Sequence, residues 1–132
     1  MEIIVNDTNI FIDLHSCGLL DSFFKLPYKV HTTDLVMSEL TKGTQHKDVV
    51  TFCEQGHLTV KSFSSKEVVR IWEYYTEAKK VCNVSGILFV FDELVNHNII
   101  SPKDAAAHLE ALYESNVRLP NEEVVKRLEQ WK

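Results

Sequence analysis

Short apolar runs in the first half of the chain predict the strands of a small parallel sheet. The first run, Ile3-Ile4-Val5, is continuous and β-branched, and Asn6-Asp7-Thr8-Asn9 follows it at once, as expected of a buried parallel strand leaving its sheet. Alternating residues predict further strands at 28–32 and 58–63, and a fourth, short strand is predicted near Cys82. In open α/β sheets ligands bind at the carboxyl ends of the strands, so the polar run after the first strand is a candidate site.

Between these strands the spacing of apolar residues is helical. Thr33-Asp34 is an N-cap region for a helix over residues 35–40, with Gly43 beyond its end, and Glu39 is the charged residue in that helix. The other helices predicted in this half cover residues 9–15, 19–26, 47–55 and 64–75. Strands that alternate with helices predict the α/β class.

The last third of the chain is predicted to be entirely helical. Its three helices begin at Gly86, at Ser101-Pro102, where a serine cap precedes proline at the first helical position, and after Pro120. No repeat, low-complexity tract or linker separates this region from the rest. We therefore expect one domain over residues 1–132, with a sheet-bearing part at 1–83 and a helical tail at 84–132.

Composition and charge narrow the class of function. The chain has 45% hydrophobic and 25% charged residues, which is ordinary for a globular protein and excludes the disordered and fibrous classes. Its formal net charge of −5 argues against a protein that binds nucleic acid mainly by neutralising phosphates over a broad basic surface. An acidic cluster that binds a divalent cation is compatible with this charge.

Cysteine usage and apolar runs indicate the compartment. Cys17, Cys53 and Cys82 are odd in number and widely spaced, so they form neither a disulfide framework nor a structural zinc motif. The start of the chain lacks the features of a signal peptide, and no run approaches the roughly 20 apolar residues that cross a bilayer. We expect reduced thiols, no membrane segment and a cytoplasmic location.

Asp7, Thr8 and Asn9 at the end of the first strand, together with Glu39 in a helix after the second strand, resemble the opening half of the PIN-domain pattern. In that family the strand-end aspartate and the helix glutamate project into one pocket with further aspartates, and they bind Mg²⁺ or Mn²⁺ for hydrolysis of RNA phosphodiester bonds. The resemblance implies that Asp7 and Glu39 are catalytic metal ligands and that Thr8 and Asn9 orient them. Hard divalent cations prefer oxygen ligands and lower the pKa of an attacking water.

The helical tail extends the resemblance. Val84-Ser85-Gly86, Ser101-Pro102 and Arg118-Leu119-Pro120 look like the tail of PIN proteins of the VapC-toxin kind. The resemblance implies a PIN-like three-layer α/β fold, in which a small parallel sheet is flanked by helices and followed by a helical tail. It also implies a Mg²⁺-dependent endoribonuclease of toxin type, with RNA as substrate, an antitoxin protein as partner and a homodimeric state.

The middle of the chain departs from the family pattern. Before the Val84 segment the family has a helix with a third acid and a strand whose Gly-Asp-like end supplies a fourth, whereas only residues 76–83 intervene here. No aspartate occurs between Asp48 and Asp92. Either half of the metal site is missing, or this stretch is absent from the sequence.

Other acids are poor replacements for the missing pair. Asp104 suits the dipole in the first turn of a tail helix, and Asp92 and Glu93 are expected to face solvent or an interface. Glu73 and Glu77 have the i, i+4 spacing of a wet helix surface. Because their side chains have these ordinary explanations, we assign none of them to the site.

Two further functions stay open. Two carboxylates bind a divalent ion less firmly than four, so the chain also fits a catalytically impaired PIN-like module that binds RNA or a protein partner without cutting. The apolar surface of the tail, residues 87–131, is larger than a shortened sheet can cover. This excess of apolar surface fits a dimerising structural protein.

Overall fold

The computed structural model describes residues 2–40, 44–61, 81–84, 86–115 and 119–132. The strands are β1 (Glu2–Val5), β2 (Lys29–Thr33), β3 (Leu58–Lys61) and β4 (Val81–Val84). The helices are α1 (Thr8–Ser16), α2 (Leu20–Phe24), α3 (Asp34–Glu39), α4 (Thr44–Glu54), α5 (Ile87–Asn96), α6 (Pro102–Ser115) and α7 (Asn121–Trp131). The class is α/β with a small parallel sheet flanked by helices, as predicted. The helix predicted at 64–75 lies outside the described residues.

All four strands run parallel, in the order β3-β2-β1-β4. The chain adds β2 and then β3 on one side of β1, and β4 lies on the other side. Val5 at the end of β1 is in register with Thr32 in β2 and with Val84 in β4. The strand order therefore reverses beside β1, and in open α/β sheets the crevice at the carboxyl ends of such strands is where ligands bind.

The two faces of the sheet differ in burial because successive side chains of a strand point to opposite sides. One face presents Ile3 and Val5 of β1, Val30 and Thr32 of β2 and Leu58 of β3, all of them buried. The opposite face presents mostly half-buried or exposed residues, including Glu2, Ile4, Lys29 and His31, although Thr33 at the end of β2 is buried. The continuous apolar run of β1 is thus fully buried on one face only.

Internal packing divides the chain into two compact units, residues 1–12 with 27–85 and residues 13–26 with 86–132. The first unit contains the sheet together with α3, which contacts β2 and β3, and α4, which contacts β3. The second unit includes residues 86–132 of the predicted tail and also residues 13–26, whereas Val84, predicted as the first residue of the tail, ends β4 in the first unit. The single domain over residues 1–132 stays a prediction.

The second unit is built around apolar side chains of its helices. The fully buried residues include Phe91 and Leu94 of α5, Leu109 of α6 and Val124 of α7, and Trp131 packs near Phe91 with ring centroids 6.5 Å apart. Helix α6 packs along α7 and contacts α5. The apolar surface expected on the tail is thus largely buried within the chain.

Helix ends confirm some predicted caps and correct one helix. The Asp104 amide donates to Ser101 Oγ at 3.1 Å, which confirms the predicted serine cap. Thr33 caps α3, yet this helix ends at Glu39, because Leu40 leaves the helical conformation and its side chain is buried. Leu35, in the first turn of this helix, is 54% exposed.

Within the described residues, no helix is long and apolar enough to cross a membrane.

Candidate metal centre

Asp7 occupies the turn between β1 and α1. Its Oδ1 atom accepts a hydrogen bond from the Asn9 amide at 2.9 Å, and its carbonyl accepts one from the Ile10 amide at 3.1 Å. Asp7 is therefore the N-cap of α1, and a carboxylate there suits both the free amides and the helix dipole. The Asp7 side chain is exposed, and Oδ2 takes no part in the cap.

Thr8 connects this turn to Glu39. Its Oγ1 atom donates to Glu39 Oε2 at 2.6 Å, which is short for a hydrogen bond and typical of one to a charged acceptor. Thr8 is 7% exposed, whereas Glu39, the last residue of α3, is exposed. The contact brings the two predicted acids to the same edge of the sheet, since Asp7 directly precedes Thr8. Glu39 is thus more than a solvated residue on a helix surface.

The threonines at the end of β2 form hydrogen bonds at the same edge of the sheet. Thr32 Oγ1 donates to the carbonyl of Val5 at 2.7 Å, and Thr33 Oγ1 accepts from the Val36 amide at 3.3 Å. Sequence reasoning anticipated the Thr33 cap and missed Thr32. The available signal was a polar residue at a strand position that shares the buried face with Val30, because a buried hydroxyl requires a hydrogen-bond partner.

The hydrogen-bond partners of these two carboxylates carry no charge. In the part of the chain that the structure describes, Asp7 and Glu39 form no ion pair with lysine, arginine or histidine. Their hydrogen-bond donors are an uncharged amide and an uncharged hydroxyl. Within the described residues, each carboxylate thus has no basic side chain as a partner, while one of its oxygens is oriented.

The donor set fits a hard divalent cation but covers only part of its coordination shell. Mg²⁺ prefers six oxygen ligands and is commonly bound by one or two carboxylates together with waters and substrate phosphates. Oδ2 of Asp7 and Oε1 of Glu39 are not used by the Asn9 and Thr8 hydrogen bonds. Among the described residues, no group of three or more His, Cys, Asp or Glu residues could bind a metal ion. The pair is therefore at most half of a four-acid site.

The acids of the tail do not replace the missing ligands. Asp92, expected to face solvent or an interface, instead forms a bidentate pair with Arg127, with Nε–Oδ1 and Nη2–Oδ2 distances of 2.8 Å each. Glu93 Oε2 lies 3.2 Å from His97 Nε2, and Asp104 lies in the first turn of α6. Glu73 and Glu77 fall outside the described residues.

A polar pocket of about 260 Å³ in the second unit is a weaker candidate site. Asp92, Arg127 and Trp131 are among its lining residues. Arg127 is fully engaged there, because Nη1 also donates to Glu123 Oε2 at 2.9 Å, and hydrogen bonding to Asp92 raises the pKa of Arg127 above its ordinary value. The pocket walls are thus neutralised among themselves.

Cys17 is a poor nucleophile. Burial, with a smaller contribution from the nearby Asp13 carboxylate, raises the pKa of the Cys17 thiol to about 11. Because the thiolate is the reactive form, the thiol is inert at neutral pH.

No protein-family model, curated protein or solved structure matches this chain with significant similarity.

Proposed function

We propose that this protein is a Mg²⁺-dependent endoribonuclease of PIN and VapC-toxin type, with the three-layer fold of that family. The observation that carries the proposal is the 2.6 Å hydrogen bond from Thr8 to Glu39, directly beside Asp7. It joins the residue after an aspartate that follows β1 to a glutamate in the helix that follows β2, at the edge where parallel sheets bind ligands. The parallel order β3-β2-β1-β4, with Asp7 after a central strand, supports the same proposal.

Each residue of this group has a chemical role. Asp7 and Glu39 present oxygen ligands to the cation, Thr8 fixes the Glu39 carboxylate, and the Asn9 amide fixes Asp7. A bound Mg²⁺ or Mn²⁺ supplies a Lewis acid that polarises the scissile phosphate and lowers the pKa of the attacking water. Because the two carboxylates have no basic partner among the residues that the structure describes, their charge is available to the cation.

The second candidate is a PIN-like module that binds RNA or a protein partner without cleaving. It is favoured by the absence, among the described residues, of a third acid near Asp7 and Glu39. Such a module keeps the fold and the turn, while cation binding is too weak to arrange a phosphate and a water together. The two candidates differ in a single readout, which is cleavage.

Partners and location complete the proposal. We assign RNA as substrate, an antitoxin protein and a second copy of the chain as partners, and the cytoplasm as location. Leu35, 54% exposed, and Val125, 42% exposed, are the large apolar side chains that the described part of the chain leaves accessible for contacts. Val125 is the large apolar side chain of the tail that is exposed among the described residues, so a purely structural dimer is the weakest of the three functions.

The proposal is tested by Mg²⁺-dependent cleavage of a structured RNA. Asp7→Asn keeps a good N-cap and removes the charge, so we expect it to lower the cleavage rate by at least ~100-fold, the upper range for loss of a residue that supports a metal ligand. Asp104→Asn is the matched control, since Asp104 is also an exposed aspartate in the first turn of a helix and lies in the second unit. Equal rates in the wild type and Asp7→Asn would refute the metal role, and RNA binding without cleavage in the wild type would favour the non-cleaving module.

A further inference from the structure

The Thr32-Thr33 dipeptide contacts both segments that bear the candidate ligands. Thr32, 1% exposed, donates to the carbonyl of Val5, which lies two positions before Asp7. Thr33 caps α3, the six-residue helix whose last residue is Glu39. One dipeptide therefore determines where the Asp7 turn begins and where the helix bearing Glu39 begins.

The hydrogen bonds of this edge close a ring. One side is the segment from Val5 to Thr8, and the other is the segment from Thr32 to Glu39. Thr32 joins the two segments at one end, through Val5, and Thr8 joins them at the other end, through Glu39. Asp7 and Glu39 both lie on this ring, so the spacing of their carboxylates depends on both cross-links.

The Thr32 cross-link is the more rigid of the two. Both of its partners are buried, and the bond runs to backbone, whereas the Thr8 bond reaches an exposed side chain that has its own rotamers. Val5 and Thr32 are also paired in the sheet register. Loss of the Thr32 hydroxyl would let the start of α3 shift against the end of β1, and Glu39 would move with the helix.

We propose that Thr32 is a positioning residue that sets the separation of the Asp7 and Glu39 carboxylates through this ring. The inference rests on the proposed metal-binding function of the pair and adds a residue that touches neither the cation nor the substrate. Its effect is on the geometry of the ligands, because a cation such as Mg²⁺ requires near-ideal placement of its oxygen ligands.

The test is Mn²⁺ binding to the full chain, measured by the electron paramagnetic resonance signal of free Mn²⁺. Residues that orient metal ligands typically change affinity 10- to 100-fold, so Thr32→Val is expected to raise the Kd by at least ~10-fold. Thr32→Ser keeps the hydroxyl and is expected to restore most of the affinity. The matched control is Thr51→Val, since Thr51 Oγ1 also donates to a backbone carbonyl, that of Lys47, in α4. It is expected to bind as the wild type does.

A double variant tests the ring itself. Thr32→Val already removes one of the two cross-links of the ring, so adding Thr8→Val should disturb the ligand geometry less than Thr8→Val does in the wild type. The Kd of the double variant is therefore expected to rise by less than the product of the two single fold-changes in Kd. Multiplicative effects would show two independent supports and overturn the ring. Circular dichroism at the assay temperature confirms that each variant is folded, and Thr32→Cys, with its weak S–H donor, is substituted if Thr32→Val does not fold.

The outcomes separate this inference from the proposed function. If the wild type binds no Mn²⁺, or if Asp7→Asn and Glu39→Gln bind it as tightly as the wild type, the proposed metal site fails and the role of Thr32 fails with it. If those two variants lose binding while Thr32→Val and the control bind equally, the metal site stands and only the inference about Thr32 is overturned.

Discussion

Two groups of acidic side chains, one in each compact unit of this chain, have different partners. In the second unit Arg127 pairs with both Asp92 and Glu123, and Lys132 Nζ lies 2.8 Å from Glu110 Oε1. At the carboxyl edge of the sheet in the first unit, Asp7 and Glu39 accept hydrogen bonds from an amide and a hydroxyl. Acids with basic partners stabilise helix packing, whereas oriented acids without such partners are available to a cation.

The largest effect on stability is expected from the Arg127 pair. Arg127→Met leaves Asp92 partly buried without its partner, and we expect the free energy of unfolding to fall by about 2 kcal/mol, less than for a fully buried pair because the Asp92 side chain is 35% exposed. Urea unfolding measures this change. Lys126→Met, at the exposed neighbouring position, should change it by less than about 0.5 kcal/mol.

The Asp92 carboxylate offers a second check on that pair. Asp92→Asn added to Arg127→Met removes the unpaired charge and should restore part of the lost stability. If the double variant is less stable than Arg127→Met alone, lost packing of the Arg127 side chain, and not lost charge compensation, explains the fall in the free energy of unfolding.

The next largest expected effect is the stabilisation of the folded protein by Mg²⁺, which should depend on Glu39 in the first unit and not on Arg127 in the second. At Mg²⁺ ten times above the Kd, binding to the folded state should stabilise the wild type by about 1.4 kcal/mol. Glu39→Gln should lose this gain, while Arg127→Met should keep it, because its lost pair lies in the second unit. Thermal unfolding with and without Mg²⁺ makes the comparison, and the same gain in Glu39→Gln would contradict the assignment.

A smaller effect separates capping from metal binding at Asp7. Asp7→Ala removes the acceptor for the Asn9 amide and should cost about 1 kcal/mol of stability without metal, whereas Asp7→Asn should cost a few tenths because asparagine caps as well as aspartate. Urea unfolding in chelator measures both. A similar loss in both variants would mean that the charge, and not the cap, stabilises this turn.

The smallest effect concerns Cys17 in the second unit. Below pH 9.0, the ordinary thiol pKa, it is protonated in both states; as pH rises toward about 11 the unfolded state loses its proton first, so stability falls across this window. Alkylation of Cys17, followed by peptide mass spectrometry, should have its midpoint near pH 11 in the native protein and near 9.0 in urea. Equal midpoints would show that burial does not protect the thiol.

Strands, turns and helix caps that depend on neighbouring residues could be predicted from the sequence. The β-branched run of β1 and the polar turn after it identified Asp7, and the resemblance to the PIN pattern paired it with Glu39, which the Thr8 contact now places at the same edge. The serine cap of α6 was predictable because capping depends on residues three positions apart.

Features that depend on distant residues were not predictable. Asp92 and Arg127 are 35 positions apart, so nothing in the spacing of either helix indicates their pair. Thr32 could be recognised as a buried polar residue only after the face of β2 was known. The exposure of Leu35 was not predictable because α3 has six residues, too few for helical periodicity to determine which side chains are buried.

The most direct test of the central claim compares two exposed glutamates that each end a helix in the first unit, Glu39 of α3 and Glu54 of α4. The measurement is the rate of Mg²⁺-dependent cleavage of structured RNA by Glu39→Gln and by Glu54→Gln. We predict at least a ~100-fold loss in Glu39→Gln and a wild-type rate in Glu54→Gln. Equal rates in the two variants would contradict the claim that the Asp7 and Glu39 pair binds the catalytic cation.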